Sequence, residues 1–308
     1  MVGVLGSNID LSVDIGGLRI RNPTMLASGI LGISYEVFKR VYEAGAGAIV
    51  SKSISVEPRE GYKNPTVVSV ECGYLNAVGL SNPGVDAFVK EIGDNKSVPI
   101  VVNLVGSTED EFVSMVKKFD GLNVIAYELN LSCPHVEKVG LEVGDDPELV
   151  HKIIKSMKAN TKKPVISKVG LGASDIIEVA RVSRDAGADA ITAMNTIRAM
   201  AINIETGTPF LSNRIGGLSG RAIKPVALRC VYEISKEIRI PVIGCGGVST
   251  WEDAVEFMLA GASAVQMGSV IGDKWLKAFA NVTGGIASYL EKKGMSNVME
   301  LVGIAHKY

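Results

Sequence analysis

Short apolar runs alternate with amphipathic stretches from about residue 24 to residue 290. The runs fall at 23–27, 48–52, 99–105, 124–131, 164–169, 190–195, 241–245 and 264–267, and each reads as a buried strand. Between them the spacing turns helical. In 146–159, Leu149, Ile153, Ile154 and Met157 share one face, and Asp146 before Pro147 is a helix start. Thr250 heads a second helix as N-cap with Asp253 three residues on, close to a capping box. Strands that alternate with helices imply right-handed βαβ units. Eight such units in about 260 residues favour a closed (β/α)8 TIM barrel over an open sheet.

Internal repetition supports the barrel. AGAGAIV (44–50), AGADAIT (186–192) and AGASAVQ (260–266) share one plan, a glycine that ends a helix followed by a buried strand. PVISKVG (164–170) is echoed by PVIGCGG (241–247). No linker rich in Pro, Ser or Gly interrupts the pattern, so residues 1–308 read as one domain. The opening LSVDIGGLRIRNP reads as a short β-hairpin around Gly16 and Gly17 that closes the barrel bottom.

Composition narrows the function class. Lys plus Arg is 32 and Asp plus Glu is 33, a net charge of −1, which gives no support to nucleic acid or an anionic membrane surface as main partner. With 47% hydrophobic and 21% charged residues the chain is not globally disordered. The 34 glycines among 308 residues exceed the usual share of roughly 7% and ask for tight turns or close approaches to a ligand. Cys72, Cys133, Cys230 and Cys245 form no CxxC pair, and their spacing suggests no zinc or iron–sulfur site. Free thiols, the lack of a secretory signal at the start and the lack of a long apolar run suit the cytoplasm.

A barrel's active site lies where strands end and βα loops begin. Those positions hold Ala27-Ser28-Gly29, Lys52-Ser53, Asn103, Asn130 through Cys133, Lys168, Asn195-Thr196, Gly246-Gly247 and Gly268-Ser269. Most are polar or glycine at the ends of apolar strands, the layout of a ligand site. The glycine pairs after strands seven and eight suit a phosphate held by backbone N–H groups. Lys52 and Lys168 end strands two and five, where burial without an anionic partner is costly, so they point to an anionic ligand. Lys168 is also placed to be a Schiff-base lysine. Asn76, Asn103, Asn130 and Asn195 offer the paired donors and acceptors that suit a ring with alternating N–H and C=O groups. Cys133, after a strand end and before Pro134, is placed to accept a carbon-bound proton. Cys230 reads as core, and Cys245 as wedged beneath the glycine loop.

Together, NPTMLASG (22–29), SKSI (51–54), NAVGLSNPG (76–84), ELNLSCPH (128–135), GGLSGRAIKPVALR (216–229), GCGGVSTWEDA (244–254) and AGASAVQMGS (260–269) resemble the dihydroorotate dehydrogenase family over nearly the whole chain. The cysteine in LSCP resembles the cytosolic class 1 enzymes, and GGLSGRAIKP looks most like class 1B. The fumarate-dependent class 1A is the nearest alternative. The resemblance implies FMN held by Ser28, Lys52, Ser53, Asn103, Asn130, Lys168, Met194, Gly220, Gly246, Gly247, Gly268 and Ser269. It implies a substrate held by Lys52, Asn76, Ala77, Val78, Gly79, Leu80, Asn130, Asn195 and Thr196, with Cys133 as general base. The implied reaction is oxidation of (S)-dihydroorotate to orotate in pyrimidine biosynthesis. The implied electron exit is a partner subunit carrying FAD and an iron–sulfur cluster, in a heterotetramer built on a homodimer of this chain. Consistent with that exit, the chain has no GxGxxG fingerprint for NAD.

Two positions depart from the family pattern. His135 stands where SCPN is usual, and either contacts the substrate or turns outward. Gly61-Tyr62-Lys63 replaces a commoner Gly-Asn pair. Three other readings stay open: a dihydropyrimidine dehydrogenase-like flavoenzyme, a phosphate-binding barrel lyase using Lys168, and a non-catalytic flavin-binding subunit.

Overall fold

The apolar runs form parallel strands because each is buried on both faces, inside by the barrel interior and outside by helices. The computed structural model describes residues 9–131, 141–172 and 174–308. In chain order, β1 (Val13–Ile15) and β2 (Leu18–Ile20) pair as an antiparallel hairpin. β3 (Thr24–Leu26) and β4 (Ala48–Val50) open the barrel, and β5 (Val67–Val70) and β6 (Gly73–Asn76) form an antiparallel pair outside it. β7 (Ile100–Leu104), β8 (Val124–Asn130), β9 (Val165–Val169) and β10 (Ala190–Ala193) continue the barrel. Four short strands follow: β11 (Ile197–Ala199), β12 (Ile202–Asn203), β13 (Thr208–Pro209) and β14 (Gly216–Ser219). β15 (Val242–Cys245) and β16 (Ala262–Met267) return to the barrel. The closed order is β10-β15-β16-β3-β4-β7-β8-β9, every neighbouring pair being parallel. This is the (β/α)8 arrangement the spacing predicts.

The helices start where capping chemistry allows. Thr108, Asp146, Asp175 and Thr250 each accept a backbone N–H from the first turn. At Thr250 the reciprocal bond from Asp253 completes a capping box. The three repeated Ala-Gly steps end helices at Ala44, Ala186 and Ala260. The hairpin seats on the barrel's N-terminal end. A side chain at Gly16 would stand 2.2 Å from the Asp189 carbonyl oxygen, just before β10 begins, and Gly16 has φ +60°. Only glycine meets both demands.

One feature is absent from the strand pattern. β5 and β6 join β14 and β11 in a four-stranded antiparallel sheet ordered β11-β14-β6-β5, with Leu75 opposite Leu218 and Asn76 opposite Gly217. The sheet is assembled from segments far apart in sequence, and β14 is a glycine-rich GGLS with no alternation to read. It carries its own small core of Leu75, Ala77 and Leu211. Among the described residues no helix is long and apolar enough to cross a membrane.

Candidate active site at the barrel mouth

At the C-terminal ends of the strands lies a cavity of about 470 Å³, within the size range of small-molecule sites. Register decides who reaches it. In neighbouring parallel strands, residues directly opposite point to the same side. Asn103 lies opposite Glu128, Asn130 opposite Lys168, Lys168 opposite Thr192, and Cys245 opposite Gln266. These side chains therefore face the barrel interior, where Asn103, Asn130, Lys168, Cys245 and Gln266 line the cavity and Glu128 and Thr192 lie beneath its lining.

Twelve positions expected to meet a cofactor all line this one cavity: Ser28, Lys52, Ser53, Asn103, Asn130, Lys168, Met194, Gly220, Gly246, Gly247, Gly268 and Ser269. β15 and β16 are neighbours, so their glycine loops stand side by side. Gly247 has φ +81°, and a side chain there would meet the Gly220 carbonyl oxygen at 2.8 Å. The loop after β15 is thus packed against the turn after β14, with no room for a Cβ between them. Of the substrate positions, Asn76, Val78, Gly79, Leu80, Asn195 and Thr196 line the same cavity, together with Lys52 and Asn130. The Ala77 side chain does not. It is fully buried in the small core of the covering sheet. Cys133 and His135 lie outside the described residues.

The amides form a chain. Asn130 Nδ2 donates to Ser53 Oγ at 3.1 Å, and Asn195 Nδ2 donates to Asn130 Oδ1 at 3.4 Å. Asn195 Oδ1 accepts the Thr196 N–H at 2.8 Å, and Asn76 Nδ2 donates to the Gly217 carbonyl at 3.1 Å. Asn103 Nδ2 donates to Glu128 Oε1 at 2.7 Å, whereas its Oδ1 is buried with no donor among the described residues. Such an orphaned acceptor is costly unless a ligand N–H reaches it.

The two lysines differ. Lys52 has no partner for its ammonium among the described residues, and burial pulls its pKa below the ordinary lysine value. It fits the expectation of an anionic ligand. Lys168 instead faces an acid from the protein itself. Its Nζ lies 3.6 Å from Glu128 Oε1 and donates to Gln266 Oε1 at 3.0 Å. Burial acts to lower its pKa, but the Glu128 charge and the Cys245 thiol outweigh it and hold the ammonium above its ordinary value. A Schiff-base lysine needs the opposite, a depressed pKa and a free amine. The lyase reading of Lys168 is therefore not supported.

Strand-end position alone does not identify several cavity and floor residues. Glu128 is fully buried at the centre of β8, and a charged residue inside an otherwise apolar strand was the signal. Gln266 and Cys245 also line the cavity. The expectation that Cys245 is wedged beneath the glycine loop is corrected, because its place opposite Gln266 turns it to the mouth. Burial raises its thiol pKa. The rim includes Val67, Tyr74 and the well-exposed Trp275, which no strand-end rule reaches. Tyr74 Oη donates to Asp273 Oδ1 at 2.7 Å and ties the covering sheet to the short helix Val270–Lys274 after β16. Among the described residues no cluster of His, Cys, Asp or Glu is placed to hold a metal ion.

Comparison with known proteins agrees with this geometry. The family model described as Dihydroorotate dehydrogenase matches residues 10–290. A Pyrococcus furiosus protein named Dihydroorotate dehydrogenase B (NAD(+)), catalytic subunit, is 45% identical over 300 residues, covering 97% of this chain and all (100%) of the relative. Its namesake from Methanocella arvoryzae is 46% identical over 299 residues, covering 96% of this chain and 98% of the relative. A crystal structure of DHODH in complex with ferulenol from Eimeria tenella superposes with a TM-score of 0.84 at 21% identity. It covers 99% of this chain and 91% of that one, a likeness of fold.

Proposed function

The chain belongs to the dihydroorotate dehydrogenase family, and on that premise we propose that it is the FMN-binding catalytic subunit of a class 1B enzyme. The reaction proposed is oxidation of (S)-dihydroorotate to orotate in pyrimidine biosynthesis. The observation that carries the reading is the cavity lining. One mouth gathers the two glycine loops, the amide chain and, among the described residues, a Lys52 ammonium without a partner and an Asn103 acceptor without a donor. These fit a phosphorylated, N–H-bearing heterocycle beside an anionic substrate.

Bound FMN supplies the two-electron acceptor for the hydride that leaves C6 of the substrate. The remaining work belongs to the chain. The backbone of Gly246, Gly247 and Gly268, with Ser269, holds the phosphate. Ser28, Ser53, Asn103, Asn130, Lys168, Met194 and Gly220 surround the ring. The Lys52 ammonium meets negative charge on the ligands. Asn76, Asn130, Asn195 and Thr196 orient the pyrimidine, with the 76–80 loop closing over it. Cys133 removes the C5 proton, which the adjacent C4 carbonyl acidifies. Amide donors stabilise the charge that develops on that carbonyl.

The relatives' names, catalytic subunit and NAD(+), support an electron exit through a separate subunit, and the class 1B resemblance implies that this subunit carries FAD and an iron–sulfur cluster. A heterotetramer built on a homodimer of this chain follows the same reading. The test is anaerobic mixing of the FMN-loaded chain with dihydroorotate while flavin absorbance is followed. Fast bleaching in wild type and much slower bleaching in Cys133→Ser is expected. A flavin that stays oxidised in wild type overturns the substrate, and equal rates overturn the base. The chain by itself is expected to reduce dyes but not NAD, so rapid NAD reduction overturns the separate exit.

A further inference from the structure

Glu128 is the deepest acid in the barrel and touches nothing in the cavity itself. Four donors from four other strands converge on it. Asn103 Nδ2 of β7 reaches Oε1 at 2.7 Å, and Lys168 Nζ of β9 stands 3.6 Å from the same oxygen. Thr192 Oγ1 of β10 reaches Oε2 at 2.8 Å, and Gln266 Nε2 of β16 reaches it at 2.5 Å. All four are donors, and an ionised carboxylate is an acceptor only.

This arrangement is a poor way to build stability. Barrel interiors are usually filled by branched apolar side chains. A buried ion pair is commonly no better than apolar residues of the same volume. Yet three of the four partners, Asn103, Lys168 and Gln266, form the cavity floor. Local costs of this kind concentrate at working sites.

We propose that Glu128 is a positioning residue: its carboxylate keeps the Lys168 ammonium charged and aimed at the cavity floor, and that ammonium governs how readily the bound flavin accepts negative charge. The inference rests on the reading of the cavity as a flavin site. Among the described residues, the titratable groups whose charge bears on Lys168 are Glu128 and Cys245. Without the carboxylate, burial is the larger influence on Lys168, and its proton is lost at lower pH.

Sulfite provides the probe. It adds reversibly to N5 of oxidised flavin, forming an S–N5 bond and placing negative charge on the ring. Its affinity therefore reports the local field without turnover. With sulfite's own protonation corrected for, wild type is expected to bind it with a flat profile from neutral to alkaline pH. Glu128→Gln is expected to bind tightly at the acid end and weaken as Lys168 loses its proton. The fall should be of the order of a hundredfold, the scale of a unit charge about 5 Å away at an effective dielectric of about 20. In Glu128→Gln/Lys168→Arg, whose guanidinium keeps its proton, the fall should vanish. A Glu128→Gln profile as flat as wild type overturns the proposal. So does a fall that persists in the double variant. If Glu128→Gln does not fold, Glu128→Asp keeps the charge but withdraws it by one methylene. It should show the same fall beginning at higher pH, and a flat profile there is equally fatal. A wild-type chain that takes up no FMN overturns the flavin reading and this proposal together. FMN uptake with a flat Glu128→Gln profile overturns this proposal alone.

Discussion

Lys52 carries a charge into a half-buried position with no partner among the described residues, so its removal should act with opposite sign on the empty and the loaded protein. Lys52→Met conserves length and most of the volume. In the FMN-free chain the variant no longer desolvates an ammonium, and should be as stable as wild type or more so, by up to about 1 kcal/mol. At roughly 2.1 cal/mol/K of unfolding entropy per residue, 308 residues turn that into a rise in Tm of up to about 1.5 °C. In the loaded protein the same change removes a hydrogen bond between charged groups, worth about 1.5–3 kcal/mol. The Kd for orotate should therefore rise about 10- to 150-fold. Thermal melts of the FMN-free form and calorimetric titration of the FMN-loaded form with orotate measure the two sides. The pH dependence follows from the lowered Lys52 pKa. Below it the ammonium is present and orotate binds best, and as pH rises through it the attraction is lost. Folding runs the other way, since the cost of burying the charge applies at low pH and is relieved as pH rises through the folded value. Lys52→Met should show neither dependence. An FMN-free variant less stable than wild type by more than about 1 kcal/mol, or an unchanged orotate Kd, would refute the reasoning.

Three further expectations concern the barrel frame and His135. Asp253 is buried and accepts Lys224 Nζ at 2.8 Å, Ser249 N at 2.9 Å and Thr250 N at 3.0 Å. Burial opposes its ionisation, but the Lys224 bond and these backbone bonds hold its pKa below the usual value. Its stabilisation is full above an unfolded pKa of about 3.9 and is lost as pH falls through the lower folded value. Asp253→Asn should cost about 1–3 kcal/mol at pH 7 by chemical denaturation and flatten the acid limb, and a wild-type midpoint would refute it. In Gly244→Ala the new methyl would stand 2.4 Å from Phe257 Cδ1, and overpacking of this kind costs about 1–3 kcal/mol. A lowered Tm, partly restored by adding Phe257→Leu, is expected, and an unchanged Tm contradicts it. His135→Ala should raise KM for dihydroorotate strongly if the side chain meets the substrate, and an unchanged KM assigns it the outward pose.

The barrel was legible because its signal is local and repeated. A buried strand of five residues, a helix cap such as Thr250 and a helix-ending glycine such as Gly187 each act within a few residues. Strand ends identify the mouth because the fold always places them there. Thus Lys52, Asn103, Asn130, Lys168 and the two glycine loops are legible from strand-end position alone. The four-stranded cover could not. β6 and β14 meet only through pairing across 141 residues, as between Asn76 and Gly217, and neither strand announces its partner.

The repeating unit, the direction of the strands and the types of group at their ends are written in the local sequence. Which of those groups face one another depends on how the barrel closes. Lys168 by its strand-end position points to an anionic ligand, but Glu128 3.6 Å away supplies the anion, whereas Lys52 has no such partner among the described residues. Ala77 sat in a promising loop, yet its side chain turned into the cover's core. Cys245 passed for packing until its register opposite Gln266 brought it into the cavity. The physical reason is common to all three. Local propensity depends on neighbours along the chain, whereas charge compensation and burial depend on neighbours in space, which barrel closure alone supplies.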